Sequence, residues 1–186
     1  MISSEELSSA VRGAWRLLNR DPAGVDDFNL SMEGLKNSFS AVLVVAPFYL
    51  FIVGASRDIL PPPAGDPGIS YLRELIALIV EWVLFLAGAV YAIRLLGLSR
   101  RVVPYVIAYN WSSLLIVSAM VPPTLLARYG IIGPGWFVIA SLIITAAALY
   151  YRWFIARTVL GATAAIAALF VTGDIAINLV VQALIR

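Results

Sequence analysis

The sequence predicts an all-α polytopic membrane protein, a bundle of five transmembrane helices preceded by an amphipathic N-terminal helix. Three observations carry that expectation. Of 186 residues, 61% are hydrophobic and only 13% charged, about half the charged share of soluble domains. Mean hydropathy is +0.92. Five stretches are long enough to cross a bilayer, since a helix rising 1.5 Å per residue needs about 20 mainly apolar residues to traverse roughly 30 Å of hydrocarbon. Residues 1–30 then form a cytoplasmic amphipathic segment and residues 31–186 the transmembrane domain, with spans at about 37–56, 71–96, 102–123, 134–156 and 160–185.

The N-terminal segment comes first. In "SSEELSSAVRGAWRLLNRDPAG", Leu7, Val11, Trp15 and Leu18 recur at helical spacing, with Arg12 and Arg16 elsewhere on the wheel. Ser3 and Glu6 have the spacing of a capping box, and Asp21-Pro22 followed by Gly24 ends the helix. Two placements stand open: an interfacial helix on the cytoplasmic leaflet with Trp15 at headgroup depth, or a helix docked on the cytoplasmic ends of the bundle. The first thirty residues lack the apolar core of a cleavable signal peptide.

Three spans are uninterrupted: Asn37 to Ser56, Val102 to Ala127, and the stretch holding Ile131 to Tyr151. The other two each contain one acid, Glu81 in the second span and Asp174 in the fifth. An acid at a helix centre costs about 2.5–3.5 kcal/mol on insertion scales, and each large aliphatic or Phe side chain returns about 0.3–0.6. The eleven such residues between Leu75 and Ile93 contribute on the order of 5 kcal/mol, so the second span inserts despite Glu81.

Orientation follows from the basic residues. Arg12, Arg16, Arg20, Lys36, Arg94, Arg100, Arg101, Arg152 and Arg157 fall on one side, and Arg57, Arg73, Arg128 and Arg186 on the other. The excess places the N-terminus in the cytoplasm and, after an odd number of spans, the C-terminus outside. One Lys against twelve Arg, with abundant Ala, Val and Leu, fits a GC-rich bacterial genome and hence a bacterial inner membrane. Loops are short. The longest external one, "RDILPPPAGDPG", is stiffened by Pro61-Pro62-Pro63 towards polyproline II, and the turns "LLGLSRR" and "YYRWFIARTVLG" make the second and third spans neighbours, and the fourth and fifth likewise.

Composition also excludes chemistry. With no Cys and no His, thiolate and imidazole metal sites, disulfides, haem attachment and His- or Cys-dependent catalytic dyads are absent. No cofactor is expected, and no basic run is long enough for nucleic acid. The expected partners are membrane lipid and other membrane proteins, or a second copy of the chain.

The polar residues converge on one level. Glu81, Asn110 and Asp174 each lie near the midplane of their spans, with Asn178 one turn beyond Asp174 and Thr145 at a similar level. Pro47, inside the first span, removes a backbone hydrogen bond, frees the carbonyl of Leu43 and is expected to bend the helix. Glu81 shares its stripe with Glu74, Ala77, Gly88 and Ala92, and Asp174 shares one with Thr163, Ala167 and Asn178, with Gln182 nearby, small or polar faces suited to helix contact. An acid at that depth must point into the bundle and be paired, hydrated or protonated. No basic residue is expected there; Arg94 lies nearer the cytoplasmic face and is expected to snorkel rather than pair with Glu81. Trp82 reads as an interfacial anchor, and Trp111, Tyr105 and Tyr109 as packing. "VTGD" shares a Gly-Asp pair with intramembrane aspartyl proteases, but that chemistry needs two aspartates sharing a proton, and the other acid is Glu81.

Five spans after a polar cytoplasmic segment, together with "VPYVIAYNWSSLLIVSAMVPPTLL" and "YYRWFIARTVLGATAAIAALF", resemble the bacterial branch of the Yip1-like membrane proteins over roughly the last hundred residues. The Asp-Leu-Tyr-Gly-Pro signature of the eukaryotic branch is absent, and with it the ground for a Rab-linked trafficking role. The resemblance implies an integral membrane protein with no assigned reaction and carries over no catalytic residue.

Two functions follow as expectations. The first is a non-enzymatic scaffold or accessory subunit that binds other membrane proteins, with Glu81, Asn110, Asp174 and Asn178 as interhelical glue. The second is a small proton- or cation-coupled carrier, with those residues and Pro47 lining a polar intramembrane site. A membrane-embedded enzyme would need both acids within about 6 Å of one substrate.

Overall fold

The computed structural model describes residues 3–60 and 68–185. The run Pro61-Pro62-Pro63 and Arg186 of the charge tally lie outside the described residues. The described residues are 86% helical, with no strand among them. Helix α1 is Ser4–Leu18, α2 Met32–Ser38, α3 Ala41–Ile59, α4 Tyr71–Leu95, α5 Val102–Arg128, α6 Pro134–Leu160 and α7 Ala164–Ile185; short 3₁₀ turns occupy Pro22–Asp27 and Ser99–Arg101. Among the described residues five segments are long and apolar enough to span a membrane: α2 with α3, α4, α5, α6 and α7.

Helix α5 is the axis of the bundle. It packs along α3 and α6, meets α4 more lightly, and carries α1 and α2 against its N-terminal half, while α7 closes the other side by packing on α4 and α6. Every residue from Tyr105 to Ser113 is buried, so this stretch is enclosed on all sides. Rings join the helices there. Phe85 of α4 stacks on Tyr109 with centroids 4.6 Å apart, and Phe170 of α7 meets Tyr105 edge-on at 5.4 Å. Lipid tails are as apolar as Leu, so such packing and interhelical hydrogen bonds hold the spans together.

The first span runs unbroken past Pro47, which is exposed on α3 and does not interrupt it. Proline removes one backbone hydrogen bond, a loss the neighbouring turns accommodate. The actual interruption is at Phe39 and Ser40, where the chain turns from α2 into α3 and Ser40 Oγ donates to the carbonyl of Asn37 at 2.6 Å. Helix α5 likewise continues through Pro122 and Pro123 to Arg128, which forms an ion pair with Asp58 of α3.

Helix α1 lies against α5, with a smaller contact to α6. Ser3 Oγ accepts from the Glu6 N–H at 3.0 Å, one half of the capping box; the Glu6 carboxylate instead accepts from Asn29 and Asn37. The buried face is Ala10, Gly13, Ala14 and Leu17, whereas Leu7, Trp15 and Leu18 of the apolar stripe are exposed. The small face permits close approach: a Cβ on Gly24 of the following turn would stand 2.6 Å from the Gly13 carbonyl oxygen. Tyr151 of α6 fastens the seat, its hydroxyl donating to the Ala14 carbonyl at 2.6 Å.

Candidate functional site

Three helices bring polar side chains to one groove of about 470 Å³, Glu81 from α4, Thr145 and Arg152 from α6, and Asp174 and Asn178 from α7, and α5 adds the apolar Met120 to its wall. Glu81 and Asp174 sit near the middles of α4 and α7. Glu81 and Arg152 also line a cavity of about 100 Å³ on the side of Trp82, Tyr109 and Ser113. The two ionisable groups therefore stand between the two spaces.

Tyr109 organises the charges. Its ring is stacked on Phe85, the Arg152 guanidinium carbon lies 3.5 Å from its centroid, and its hydroxyl donates to Asp174 Oδ1 at 3.1 Å. A cation over an aromatic face is attracted by the ring quadrupole, most strongly where water is scarce. Arg152 also donates from Nη2 to Ser113 Oγ at 2.9 Å and from Nη1 to the Tyr109 carbonyl at 3.3 Å. These contacts hold the guanidinium against Tyr109 and Ser113 of α5.

Arg152 is the residue whose contacts the sequence did not reveal. The cytoplasmic turn expected around "YYRWFIAR" is helix: α6 continues to Leu160, so about 12 Å of helix separates Arg152 from its end. Gly161, next in sequence and left-handed at φ 62°, marks the true terminus and was the available signal. A cation does lie beside the acids, contrary to expectation.

The other expected site residues divide. Asn178 lines the groove and accepts from Gln182 Nε2 at 2.6 Å. Asn110 lies outside it, wholly buried: its Oδ1 accepts from Trp82 Nε1 at 2.9 Å and its Nδ2 donates to Ser38 Oγ at 2.9 Å, tying α5 to α4 and α2. Trp82 is thus an internal donor, not an interfacial anchor. Pro47 does not line the groove.

Two carboxyls and one guanidinium from three helices, with hydroxyl and amide groups around them, can hold a proton, a small cation or a compact polar solute. No family model, no curated protein and no solved structure matches the chain.

Proposed function

We propose that this membrane protein is a small carrier that binds a proton, a cation or a cation-bearing polar solute between α4, α5, α6 and α7. One observation carries the reading: Glu81, Arg152 and Asp174 open on the same groove at the level of the apolar spans. Charges inside a membrane are expensive, and their usual use is a solute pathway or proton relay. Arg152 and the acids partly neutralise one another, so that gaining or losing one positive charge changes the balance of the site. We place the protein in a bacterial inner membrane with its N-terminus in the cytoplasm, and assign it no enzymatic step.

The test is flux through reconstituted vesicles carrying a trapped pH-sensitive or potassium-sensitive dye. Wild-type protein should dissipate an imposed gradient faster than empty vesicles, and Asp174→Asn or Arg152→Gln should slow it by about tenfold or more with melting temperature retained. No rate above empty vesicles, or an undiminished rate in Asp174→Asn, rejects the carrier.

The scaffold reading draws on a different feature. A wholly apolar-walled groove of about 420 Å³ runs between α4 and α7, lined by Phe85, Gly88, Ala92, Leu169, Phe170 and Gly173 among others. A Cβ on Gly88 or Gly173 would meet nothing within 4 Å, leaving room for a helix of another membrane protein. The Yip1-like resemblance accommodates either reading, since it assigns no reaction.

A further inference from the structure

Three helices of this protein end in the same hydrogen-bonded motif. After α4, the Gly97 N–H donates to the Arg94 carbonyl and the Leu98 N–H to that of Ile93; after α5, Gly130 and Ile131 repeat the pattern onto Ala127 and Leu126. After α1, the Arg20 N–H donates to Leu17 and the Asp21 N–H to Arg16, at 3.0 and 2.9 Å. The motif requires a left-handed residue, and glycine supplies it without a steric penalty. Gly97 and Gly130 fill that position at φ 73° and 70°, but at the end of α1 it is Arg20, at φ 65°. Arg20 is the single non-glycine residue with positive φ among the described residues. Backbone strain of this kind points to a side chain in use.

The Arg20 guanidinium stands 5.0 Å from the centre of the Tyr150 ring on α6. Tyr150 lies beside Trp153, with centroids 5.6 Å apart, and the Arg157 guanidinium stands 5.3 Å from the Trp153 ring. Two exposed cations thus bracket one aromatic platform near the C-terminal end of α6. The Trp153 N–H, donating to the Ala164 carbonyl at 3.1 Å, ties the platform to the start of α7. Among the described residues neither Arg20 nor Arg157 makes an ion pair, and the acid next to Arg20, Asp21, is engaged by Arg16 at 2.7 Å. The polar helix α1, with Arg20 just past its end, docks at this level through Ala14 and Tyr151, so in a bundle that spans a bilayer the platform belongs to the edge of the spans, where Trp and Tyr concentrate and from which the Arg152 side chain reaches inward to Tyr109.

We propose that Arg20 and Arg157, mounted on Tyr150 and Trp153, form a binding site for the phosphate of an anionic lipid headgroup. Guanidinium forks match phosphate oxygens in geometry and charge, and basic pockets at the ends of transmembrane helices hold anionic lipids in this manner. The site also joins α1 to α6 through the lipid, so an anionic bilayer strengthens the seat of the N-terminal helix.

The experiment compares melting temperatures of the full chain in phosphatidylcholine and phosphatidylglycerol nanodiscs. Phosphatidylglycerol should raise the wild-type value. Arg20→Gly should melt in phosphatidylcholine at or above the wild-type temperature, because glycine relieves the left-handed strain, yet lose about half or more of the phosphatidylglycerol shift, since one of two phosphate-facing cations is gone. Arg157→Gln should lose a comparable share. The proposal is overturned by no wild-type preference for phosphatidylglycerol, by an undiminished shift in Arg20→Gly, or by a lower melting temperature of Arg20→Gly in phosphatidylcholine, which would make Arg20 a structural residue only. Inorganic phosphate added to phosphatidylcholine discs should not reproduce the shift; if it does, the ligand is a free anion and the lipid assignment falls.

Discussion

Asn110 uses its two polar ends on two different helices, and neither bond has water to compete with it. Asn110→Ala leaves the Trp82 N–H without its acceptor and Ser38 without its donor, in a place where both groups are buried. The expected loss is about 1–3 kcal/mol, towards the lower figure where side chains in the loosened bundle find other partners. Unfolding in increasing dodecyl sulfate measures it, with Asn178→Ala as the contrast: that amide meets only Gln182 at a partly exposed site, and its loss should stay within about 0.5 kcal/mol. A midpoint equal to wild type for Asn110→Ala would show that the buried triad adds no stability. Lone acids in apolar runs, such as Glu81 and Asp174, stand out in a sequence because nothing nearby explains them. Arg152 does not, because aromatic and basic neighbours make the same letters read as a membrane boundary.

At the scale of the element, α1 and the turn Pro22–Asp27 form a clasp. Arg16 donates to Asp27 at 2.8 Å and to Asp21 at 2.7 Å, and Arg12 adds a bond to Asp27 at 3.0 Å. The hydrogen bond from Arg16 holds both carboxyls below their ordinary value of 3.8, with Arg12 assisting at Asp27. A carboxyl lowered on folding adds stability at pH above its unfolded value, and that stability is lost as pH falls through the folded value. Protection of the α1 amides against hydrogen exchange should therefore be level from neutral pH down to about pH 5 and drop below 3.8, while the buried amides of α5 keep theirs. Asp27→Asn should lower α1 protection at neutral pH and flatten its dependence on acid; a profile identical to wild type would mean that the apolar seat alone holds the helix. The sequence marks α1 as amphipathic but leaves its docked face undecided. Close passage of Gly13 against Gly24 decided it, and that contact depends on the turn as much as on the helix.

For the whole molecule, five spans place the α4–α5 turn and the α5–α6 turn on opposite sides. The chain has no cysteine, so Ser99→Cys and Tyr129→Cys each introduce one thiol at an exposed turn residue. With the N-terminus in the cytoplasm, an impermeant maleimide should label Tyr129→Cys in spheroplasts and Ser99→Cys only after permeabilisation. The reverse pattern inverts the topology and leaves the five spans standing; labelling of both from the same side means that α5 does not cross. Fold class and span number were legible because hydrophobic length is a local property of the chain.

What the sequence determined by itself is a helical membrane chain of five spans, two of them holding a lone acid, since span length and isolated charge follow from residues read one after another. The tertiary structure alone decided that Arg152 joins those acids, that Asn110 turns to Trp82 and Ser38, and that α1 presents its small face to the bundle. The reason is rotational: in a helix apolar on every side, neighbouring faces differ little in transfer energy, so contacts with the other helices set which side chains meet.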